Sequence, residues 1–299
     1  MLFQTTDPKE KRKLFRSQLK SSKLLRFPGA YSPLLAMAIE RKKYDGVYIS
    51  GAVLSNDLGY PDIGLTTLSE VSQRGRQIAR ATSLPSIIDI DTGFGEPMSV
   101  ARTVQEMTEL GLSGCHLEDQ INPKRCGHLD GKSLVESHEM IKKIKAAEKG
   151  KTDSHFLIIA RTDSRASEGL EKAIARAQAY VDAGAEMIFP EALQDEREFE
   201  AFRKAISVPL LANMTEFGKS KLLNATQLQN LGYNLVIYPV TTMRIAMKAV
   251  ENALDQILKD GTQEHVVPQM QTRQELYDLL QYERYNEFDQ NVFNFKINS

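Results

Sequence analysis

Eight short apolar runs constrain the fold of this 299-residue chain most strongly, because stretches with helical periodicity separate them. Aliphatic and β-branched residues dominate each run, as in buried strands, whereas segments such as 170–183 carry apolar residues at helical spacing. Gly111 and Gly184 stand where helices are expected to end. The candidate strands are Leu24–Phe27, Gly46–Ser50, Ile87–Asp91, Gly114–Glu118, Phe156–Arg161, Met187–Glu191, Pro209–Asn213 and Leu235–Tyr238.

This alternation predicts an α/β fold, a (β/α)8 TIM-type barrel rather than an open doubly wound sheet, since such barrels take roughly 250 residues. We expect a single barrel domain over 1–299, with an N-terminal surface helix at 1–22 and a C-terminal helical extension at 243–299. The extension ends in aromatic residues between Tyr277 and Phe295, more than a tail should leave in water. They indicate packing on a neighbouring subunit; the alternative is that the tail folds back on its own barrel.

Composition narrows the class of partner. Lys and Arg together number 38 against 39 Asp and Glu, so no basic field is present to attract nucleic acid. No apolar stretch has the length of a membrane span, and the start lacks the pattern of a signal peptide. Cys115 and Cys126, the two cysteines, are too few for a disulfide framework and lack zinc-site spacing, which favours a reducing compartment. We expect a cytoplasmic protein that binds a small molecule.

Polar or small residues stand at the ends of most candidate strands. Barrel enzymes build their sites from the carboxyl ends of the strands. One such residue alone is usually a helix cap or a loop residue, but six at the same point of the repeat indicate a shared site. The strand-end segments are Ser50-Gly51, Asp89-Ile90-Asp91, Glu118-Asp119, Arg161-Thr162-Asp163, Glu191 and Asn213.

Asp89 and Asp91 are spaced two apart on a predicted strand, so both carboxylates should leave the same face. Mg²⁺ takes one or two carboxylates and keeps several waters, whereas Ca²⁺ requires a fuller cage and Zn²⁺ prefers His or Cys. Glu118, at the end of the next strand, could complete the shell directly or through water. The pattern favours a magnesium site over a solvated turn.

Arg161 ends an apolar run that should be buried, where an unpaired guanidinium would be costly. Its anionic partner is Asp163 or Glu191 in a salt bridge, or a substrate carboxylate held by two hydrogen bonds, and both can hold at once. Asn213 and Thr215 add neutral groups that can orient such a carboxylate.

The pentapeptide Lys124-Arg125-Cys126-Gly127-His128 lies in a long glycine-bearing loop, of the kind that covers many barrel mouths as a lid. A second long loop covers 55–64. A thiol among cations should ionise more easily than the free side chain, whose pKa is about 8.5. The pattern predicts acid-base or nucleophilic work for Cys126, whereas Cys115, in an apolar strand, should be inert.

Six motifs together resemble the isocitrate lyase and phosphoenolpyruvate mutase superfamily. They follow its pattern in order and span most of the chain, so the combination is specific. They are Ser50-Gly51-Ala52, Asp89-Ile90-Asp91-Thr92-Gly93-Phe94-Gly95, His116-Leu117-Glu118-Asp119-Gln120, Lys124-Arg125-Cys126-Gly127-His128, Ala160-Arg161-Thr162-Asp163 and Asn213-Met214-Thr215-Glu216-Phe217-Gly218. Within the superfamily the cysteine pentapeptide marks carbon-carbon lyases. A chain near 300 residues without a large insertion is similar to the branch that cleaves 2-methylisocitrate to pyruvate and succinate in propionate catabolism, the methylcitrate cycle.

The resemblance implies a barrel whose eighth helix is exchanged between paired subunits of a homotetramer. It also implies Mg²⁺ on Asp89 and Asp91, with Glu118 in the shell. Cys126 is then the natural acid that returns a proton to carbon, and Tyr48, near a strand end, is the first candidate for a less certain base. The residues that the resemblance places around the substrate are Ser50, Gly51, Ala52, Gly127, Arg161, Glu191, Asn213, Thr215, Arg244 and Arg273. Ala52 is a departure, since bacterial relatives usually carry glycine there.

Two alternatives stay open. Another enzyme of the superfamily could act on isocitrate or oxaloacetate as a lyase or hydrolase. The second alternative is a barrel that binds a dicarboxylate without turning it over, as a sensor or scaffold. Such a protein would have no use for a reactive thiol.

Overall fold

A computed structural model describes residues 6–129 and 131–294 of the chain. Eight strands alternate with helices along it, which confirms the predicted α/β fold. The strands are β1 Leu25–Pro28, β2 Val47–Ile49, β3 Ser86–Asp89, β4 Gly114–Glu118, β5 Leu157–Thr162, β6 Met187–Pro190, β7 Leu211–Asn213 and β8 Leu235–Tyr238. The helices are α1 Pro8–Leu19, α2 Pro33–Arg41, α3 Gly51–Asp57, α4 Leu68–Ala79, α5 Pro97–Glu109, α6 Ser137–Gly150, α7 Arg165–Glu168, α8 Leu170–Asp182, α9 Glu196–Ala205, α10 Ala225–Asn230, α11 Thr241–Asp260, α12 Arg273–Leu280 and α13 Tyr282–Phe293, with a 3-10 helix at Glu264–Gln269.

All strand pairs are parallel and the strands follow one another in chain order. One sheet has the order β1-β8-β7 and the other runs from β2 to β6. Bridges between Gly29 and Tyr48 and between Ile188 and Leu210 join the two sheets at both seams. The eight strands therefore close into a ring, the arrangement of a (β/α)8 barrel, and their carboxyl ends share one rim.

Two apolar layers stabilise the ring. Alternate strand residues such as Ile49, Ile88 and Ile158 pack outward against the helices in one large buried cluster. Their neighbours, among them Tyr48 and Ile87, point inward and form a second cluster. The strands thereby read as nearly continuous apolar runs, as expected where both faces are covered.

The N-terminal helix α1 is shorter and more buried than expected. It begins at Pro8 and ends at Leu19, and the expectation of an ordinary surface helix is wrong, because Phe15 and Leu19 belong to the inner barrel cluster. The Phe15 ring lies 5.3 Å from the Phe27 ring of β1. Arg12, also buried, donates to the Leu112 carbonyl at 2.8 Å. The helix therefore closes the barrel end opposite the strand carboxyl termini.

The chain divides into two compact units, Met1–Met243 and Arg244–Ser299. In the second unit Thr272 and Glu275 form a capping box at the start of α12, and the Tyr277 and Tyr282 rings stack at 4.7 Å. Phe295 of the aromatic tail lies outside the described residues. Among the described helices, none combines the length and apolar character needed to cross a bilayer.

Candidate active site

The two aspartates that follow Ile88 meet at a turn rather than along one strand face. Strand β3 ends at Asp89, and Asp91 has a left-handed backbone with φ 47°, so the expectation of two carboxylates on one continuous strand is wrong. The Asp91 N–H donates to Asp89 Oδ1 at 2.9 Å, and the Gly51 N–H donates to Asp89 Oδ2 at 3.2 Å. The turn still brings the carboxylates together at the rim.

Gly51 keeps open the space in front of these carboxylates. A Cβ at this position would lie 3.0 Å from Asp89 Oδ2 and 3.1 Å from Asp91 Oδ1. Ser50, which precedes it, is buried at the N-terminus of α3 without a side-chain cap bond, and Ala52 lies half-buried in the first helical turn. The first turn of α3 therefore faces the aspartates with backbone rather than with bulky side chains.

Negative charge is in surplus at this rim. Of six carboxylates, all buried or nearly so, five pair with three permanent cations, Lys124, Lys132 and Arg161, and the sixth, Asp89, lies 3.6 Å from His116 Nδ1. Burial raises the pKa of Glu118 well above its usual value, and burial together with the nearby Asp89 raises the pKa of Asp91 to about 6 even though Lys124 opposes the shift. The carboxylates are Asp62, Asp89, Asp91, Glu118, Asp163 and Glu191.

The carboxylates fit a magnesium ion in one particular way. Within the described ranges, no three His, Cys, Asp or Glu side chains converge into a ready-made ligand set. Mg²⁺ does not need one, since one or two carboxylates with water and substrate oxygens suffice. Asp89 and Asp91, beside the side-chain-free Gly51, can supply that pair. The Glu118 side chain is buried and makes no hydrogen bond with a described residue beyond an ionic contact of 3.1 Å between its Oε2 and Arg161 Nη1, so its Oε1 is available to a hydrated cation.

Arg161, at the carboxyl end of β5, has more anionic partners than expected. Asp163 accepts from its Nε at 2.9 Å and from Nη2 at 3.1 Å. Glu191 lies 3.4 Å from Nη2, so both partners considered from the sequence are present, and Glu118 lies 3.1 Å from Nη1 in addition. The guanidinium lies 5.2 Å above the Phe189 ring. Arg161 is thus held rigidly at the centre of the rim.

A buried network behind Arg161 fixes the end of β5. Asp119 accepts from the Thr162 hydroxyl at 2.7 Å, from the Asp163 N–H at 2.9 Å and from the Tyr180 hydroxyl at 2.8 Å. All four residues lie inside the protein. Because Asp163 is held through its backbone, its carboxylate has a fixed position from which to orient Arg161.

The loop that carries Cys126 packs against this rim through residues 124–128. Gln120 bonds the Arg125 backbone in both directions, at 2.9 Å to its N–H and at 2.8 Å to its carbonyl. Lys124 Nζ lies 2.9 Å from Asp91 Oδ1 and also bonds Asp62 of the other long loop. His128 Nε2 lies 2.8 Å from Glu191 Oε1. The loop is therefore tied to the site on both sides of the cysteine.

Gly127 packs directly on the arginine site. A Cβ at this position would lie 2.4 Å from Arg161 Nη2 and 2.5 Å from Glu191 Cγ, closer than real side chains approach. Gly127 therefore lies against Arg161 and Glu191, and its role at the substrate stays a prediction. Only glycine lets the loop come this close.

The thiol of Cys126 behaves differently from the expectation. Burial, with added repulsion from Asp62 and Glu191, raises its pKa, so the expected easily ionised thiol is wrong. Burial of the thiol is the main cause, and Lys124, a cation close to it in the sequence, is engaged by Asp62 and Asp91 instead. A thiol that stays protonated near neutral pH suits a proton donor rather than a nucleophile. Cys115 is fully buried, as expected, and its pKa is raised well beyond the neutral range.

Tyr48 lies within β2 and Asn213 at the end of β7. The Tyr48 hydroxyl lies 2.8 Å from His116 Nε2, and burial raises its pKa, which does not favour a phenolate. Its assignment as the base stays a prediction. Asn213 Nδ2 donates to the Glu191 carboxylate at 3.2 and 3.3 Å. Burial alone would raise the pKa of Glu191, but Arg161 and His128 beside it hold that pKa well below its usual range.

The remaining substrate candidates are divided between the units. Thr215 is buried just beyond β7 in the first unit. Arg244 and Arg273 lie exposed at the starts of α11 and α12 in the second unit, which the structure describes by itself, so their roles stay predictions.

Sequence reasoning missed two participants, Asp62 and Lys132, and treated Asp163 only as a partner for Arg161. Asp62 was hidden in a loop noted only for its length, and its contact with Lys124 depends on the approach of two loops across the barrel mouth. Lys132 lies at the rim, where its Nζ donates a hydrogen bond to Asp163 Oδ1 at 3.0 Å. Asp163 could have been weighted more heavily as a site residue, because it already stood out as a partner for Arg161.

Comparisons with known proteins agree with this arrangement. The family model described as phosphoenolpyruvate phosphomutase matches residues 15–258. The chain is 56% identical over 292 residues to "Probable 2-methylisocitrate lyase 2" of Corynebacterium glutamicum, covering 98% of this chain and 95% of that protein.

Solved structures share the fold. Oxaloacetate acetylhydrolase in complex with the inhibitor 3,3-difluorooxalacetate superposes with a TM-score of 0.91 at 31% identity, over 98% of this chain and all of that one. Phosphonopyruvate hydrolase, in a complex with oxalate and Mg²⁺, gives a TM-score of 0.86 at 29% identity, over 95% of this chain and 99% of that one.

The parallel barrel, with its aspartate pair and loop-borne cysteine at the strand carboxyl ends, is of the phosphoenolpyruvate mutase and isocitrate lyase class. Identity of this extent over nearly the whole chain then specifies the branch. The chain belongs to the 2-methylisocitrate lyase family of that superfamily.

Proposed function

We propose that this chain cleaves 2-methylisocitrate to pyruvate and succinate as a carbon-carbon lyase of propionate catabolism. The observation that carries the proposal is the protonated Cys126 thiol on a loop whose Gly127 packs against Arg161 and Glu191. The identity with a named family member over 292 residues supports the substrate. A protein that only binds a dicarboxylate gains nothing from a thiol in the residue next to Gly127, whereas any enzyme that breaks a carbon-carbon bond needs such a proton donor.

The reaction defines what the residues must do. The substrate hydroxyl loses a proton, the adjacent carbon-carbon bond breaks, and its electron pair stays on the succinate half, which then takes a proton at carbon. Arg161, held by Asp163, can bind a substrate carboxylate and stabilise the negative charge that develops on it. Cys126 donates the final proton from its thiol. Tyr48 remains the proposed acceptor of the hydroxyl proton.

Asp89 and Asp91 would hold Mg²⁺, with Glu118 oriented towards its water shell. When bound, the ion supplies positive charge close to the substrate carboxylate and hydroxyl oxygens. Ser50, Gly51 and Ala52 would line the opposite side with backbone groups. Asn213 and Thr215 would orient the other carboxylate, Glu191 would hold the Asn213 amide in place beside the substrate, and Arg244 and Arg273 complete the proposed substrate set.

The activity is tested by coupling pyruvate release to NADH oxidation with lactate dehydrogenase. Purified protein should turn over 2-methylisocitrate, lose activity almost completely in excess chelator, and recover it when Mg²⁺ is restored. Isocitrate, oxaloacetate and 2,3-dimethylmalate, with products identified by mass spectrometry, form the comparison panel. Faster turnover of any panel member than of 2-methylisocitrate would contradict the proposed substrate, and magnesium-dependent binding by calorimetry without product would indicate a non-catalytic barrel.

We also propose that copies of this chain exchange α11 in a homotetramer. The first unit carries a groove of about 460 Å³ between α2 and α10, lined by apolar residues such as Leu35, Ile39 and Tyr238. In α11, all of which is described, no residue is buried, and Leu254 is 59% exposed. An eighth barrel helix from a second copy is an occupant of matching apolar character for that groove.

Light scattering on a sizing column tests the exchange. The wild type should elute as a tetramer, and Leu254→Glu should shift it to smaller species, because a charge would then have to enter the apolar groove. Lys248→Glu, an exposed charge change on the same helix, serves as the matched control and should remain tetrameric. A monomeric wild type, or an unaltered Leu254→Glu assembly, would contradict the exchange.

The two free cysteines fit a reducing, cytoplasmic setting for such an enzyme.

A further inference from the structure

Lys132 is a buried lysine that neither the sequence motifs nor the proposed chemistry uses. Its side chain is 3% exposed. A buried ammonium is costly unless it is paired and hydrogen-bonded, so its partners show what it stabilises. Lys132 Nζ donates to the Gly127 carbonyl and, at 3.0 Å, to Asp163 Oδ1.

One partner, Asp163, is a fixed point. Its backbone N–H donates to the buried Asp119, and its carboxylate is bonded to Arg161 through both oxygens. Asp163 Oδ1 therefore accepts from Arg161 and Lys132 together. The ammonium is attached to the same carboxylate that orients the arginine.

The other partner belongs to the Cys126 loop. Gly127 follows the cysteine directly, and Lys132 lies five residues further along the same loop, where its ammonium donates to the Gly127 carbonyl. If the loop lifts, Lys132 and Gly127 move together, while Asp163 stays on its strand end and loses the bond from Lys132. The bond between Lys132 and Asp163 is thus available only while the loop lies on the arginine site.

We propose that Lys132 is a positioning residue that fastens the Cys126 loop onto the arginine site by bridging the Gly127 carbonyl to the Asp163 carboxylate. Charge-assisted hydrogen bonds of this kind are about twice as strong as neutral ones, so one bridge can decide the population of the closed loop. The same bridge makes loop closure depend on the position of Asp163 and hence of Arg161. The catalytic importance of closure rests on the proposed function, but the closure itself does not.

Alkylation of Cys126 measures loop opening without any substrate. Iodoacetamide should modify Cys126 about tenfold or more faster in Lys132→Met than in the wild type, since a buried charged hydrogen bond is lost. Cys115 is fully buried and should stay unmodified, so intact-mass spectrometry follows one thiol. In the lyase assay kcat should fall by a similar factor while KM changes by less than about threefold, because the substrate still meets an open site.

Two further variants complete the test. Lys142→Met, the same change on the exposed surface of α6, should alkylate at the wild-type rate. Lys132→Arg keeps a long cation able to reach both oxygens and should restore slow alkylation at least in part, which also answers the case in which Lys132→Met folds poorly. Equal alkylation rates in the wild type, Lys132→Met and Lys142→Met would overturn the proposal. Failure of the lyase assay on every substrate would overturn the function instead and leave the alkylation result readable.

Discussion

Cys126→Ser should lower kcat by about 10² to 10⁴-fold, the usual contribution of a positioned general acid, while KM stays within about threefold. The serine side chain keeps the size and hydrogen-bonding capacity of the thiol, but its hydroxyl is far less acidic. Steady-state pyruvate release measures both constants. Cys115→Ser is the matched control, since that thiol is fully buried away from the rim, and it should change kcat little. Near wild-type kcat in Cys126→Ser would contradict the acid assignment.

The pH dependence of kcat provides a second test of the Cys126 assignment, because the direction of the change is predicted. Burial raises the pKa of Cys126, so the donor form is fully present at neutral pH and is lost only as the pH rises through that raised value. We expect kcat of the wild type to fall on the alkaline side and the Cys126→Ser variant to lose this alkaline limb. A wild-type kcat that rises with pH across the thiol range would indicate a thiolate mechanism instead.

Gly127→Ala should lower kcat/KM by about 10²-fold, because displacement of reacting groups by about 1 Å can cost that much. The new methyl group would meet Arg161 Nη2 at 2.4 Å and Glu191 Cγ at 2.5 Å. Neither side chain can withdraw, since Asp163 holds the arginine and Asn213 and His128 hold the glutamate. The loop must rise instead, which moves Cys126 away from the site.

The matched control for this variant lies in the same loop. Gly131→Ala adds the same methyl group where a Cβ would meet nothing within 4 Å, although φ is +78° there. It should lower stability through backbone strain but leave kcat/KM within about threefold, because it does not touch the arginine site. Equal losses of kcat/KM in both variants would show that loop flexibility, rather than the contact at Gly127, explains the effect. Thermal melts separate the stability change from the activity change.

The barrel was predictable because its signal is local. Each strand is a short apolar run, and β4 and β8 begin and end at the residues that the pattern gave. The end of β3 was not predictable. Asp91 leaves the strand through a left-handed turn, which depends on the packing of Gly51 and on the hydrogen bond from the Asp91 N–H to Asp89 Oδ1. A period of two residues cannot reveal such a turn. The α/β class therefore followed from pattern alone, whereas the exact pairing of the aspartates did not.

The sequence was a better guide to which residues form the site than to their pKa values. Arg161 and Glu191 stood at strand ends and meet at the rim as expected. The predicted direction of the Cys126 pKa shift was wrong. Sequence neighbours are poor guides to spatial neighbours in this loop, where Lys124 turns towards Asp62. Burial of the thiol, which the neighbouring residues in the sequence do not indicate, outweighs the charges beside it.

The docking of α1 has a consequence for synthesis on the ribosome. Arg16 pairs with Glu186 at 2.7 Å, a residue that is made 170 positions later. At roughly 5 to 20 residues per second, the first helix waits on the order of ten to thirty seconds for that partner to be made. During this interval the apolar face of Phe15 and Leu19 has no barrel to enter. Helix α1 thus leaves the ribosome before the strands that receive it, and its apolar face stays exposed on the nascent chain until they are made.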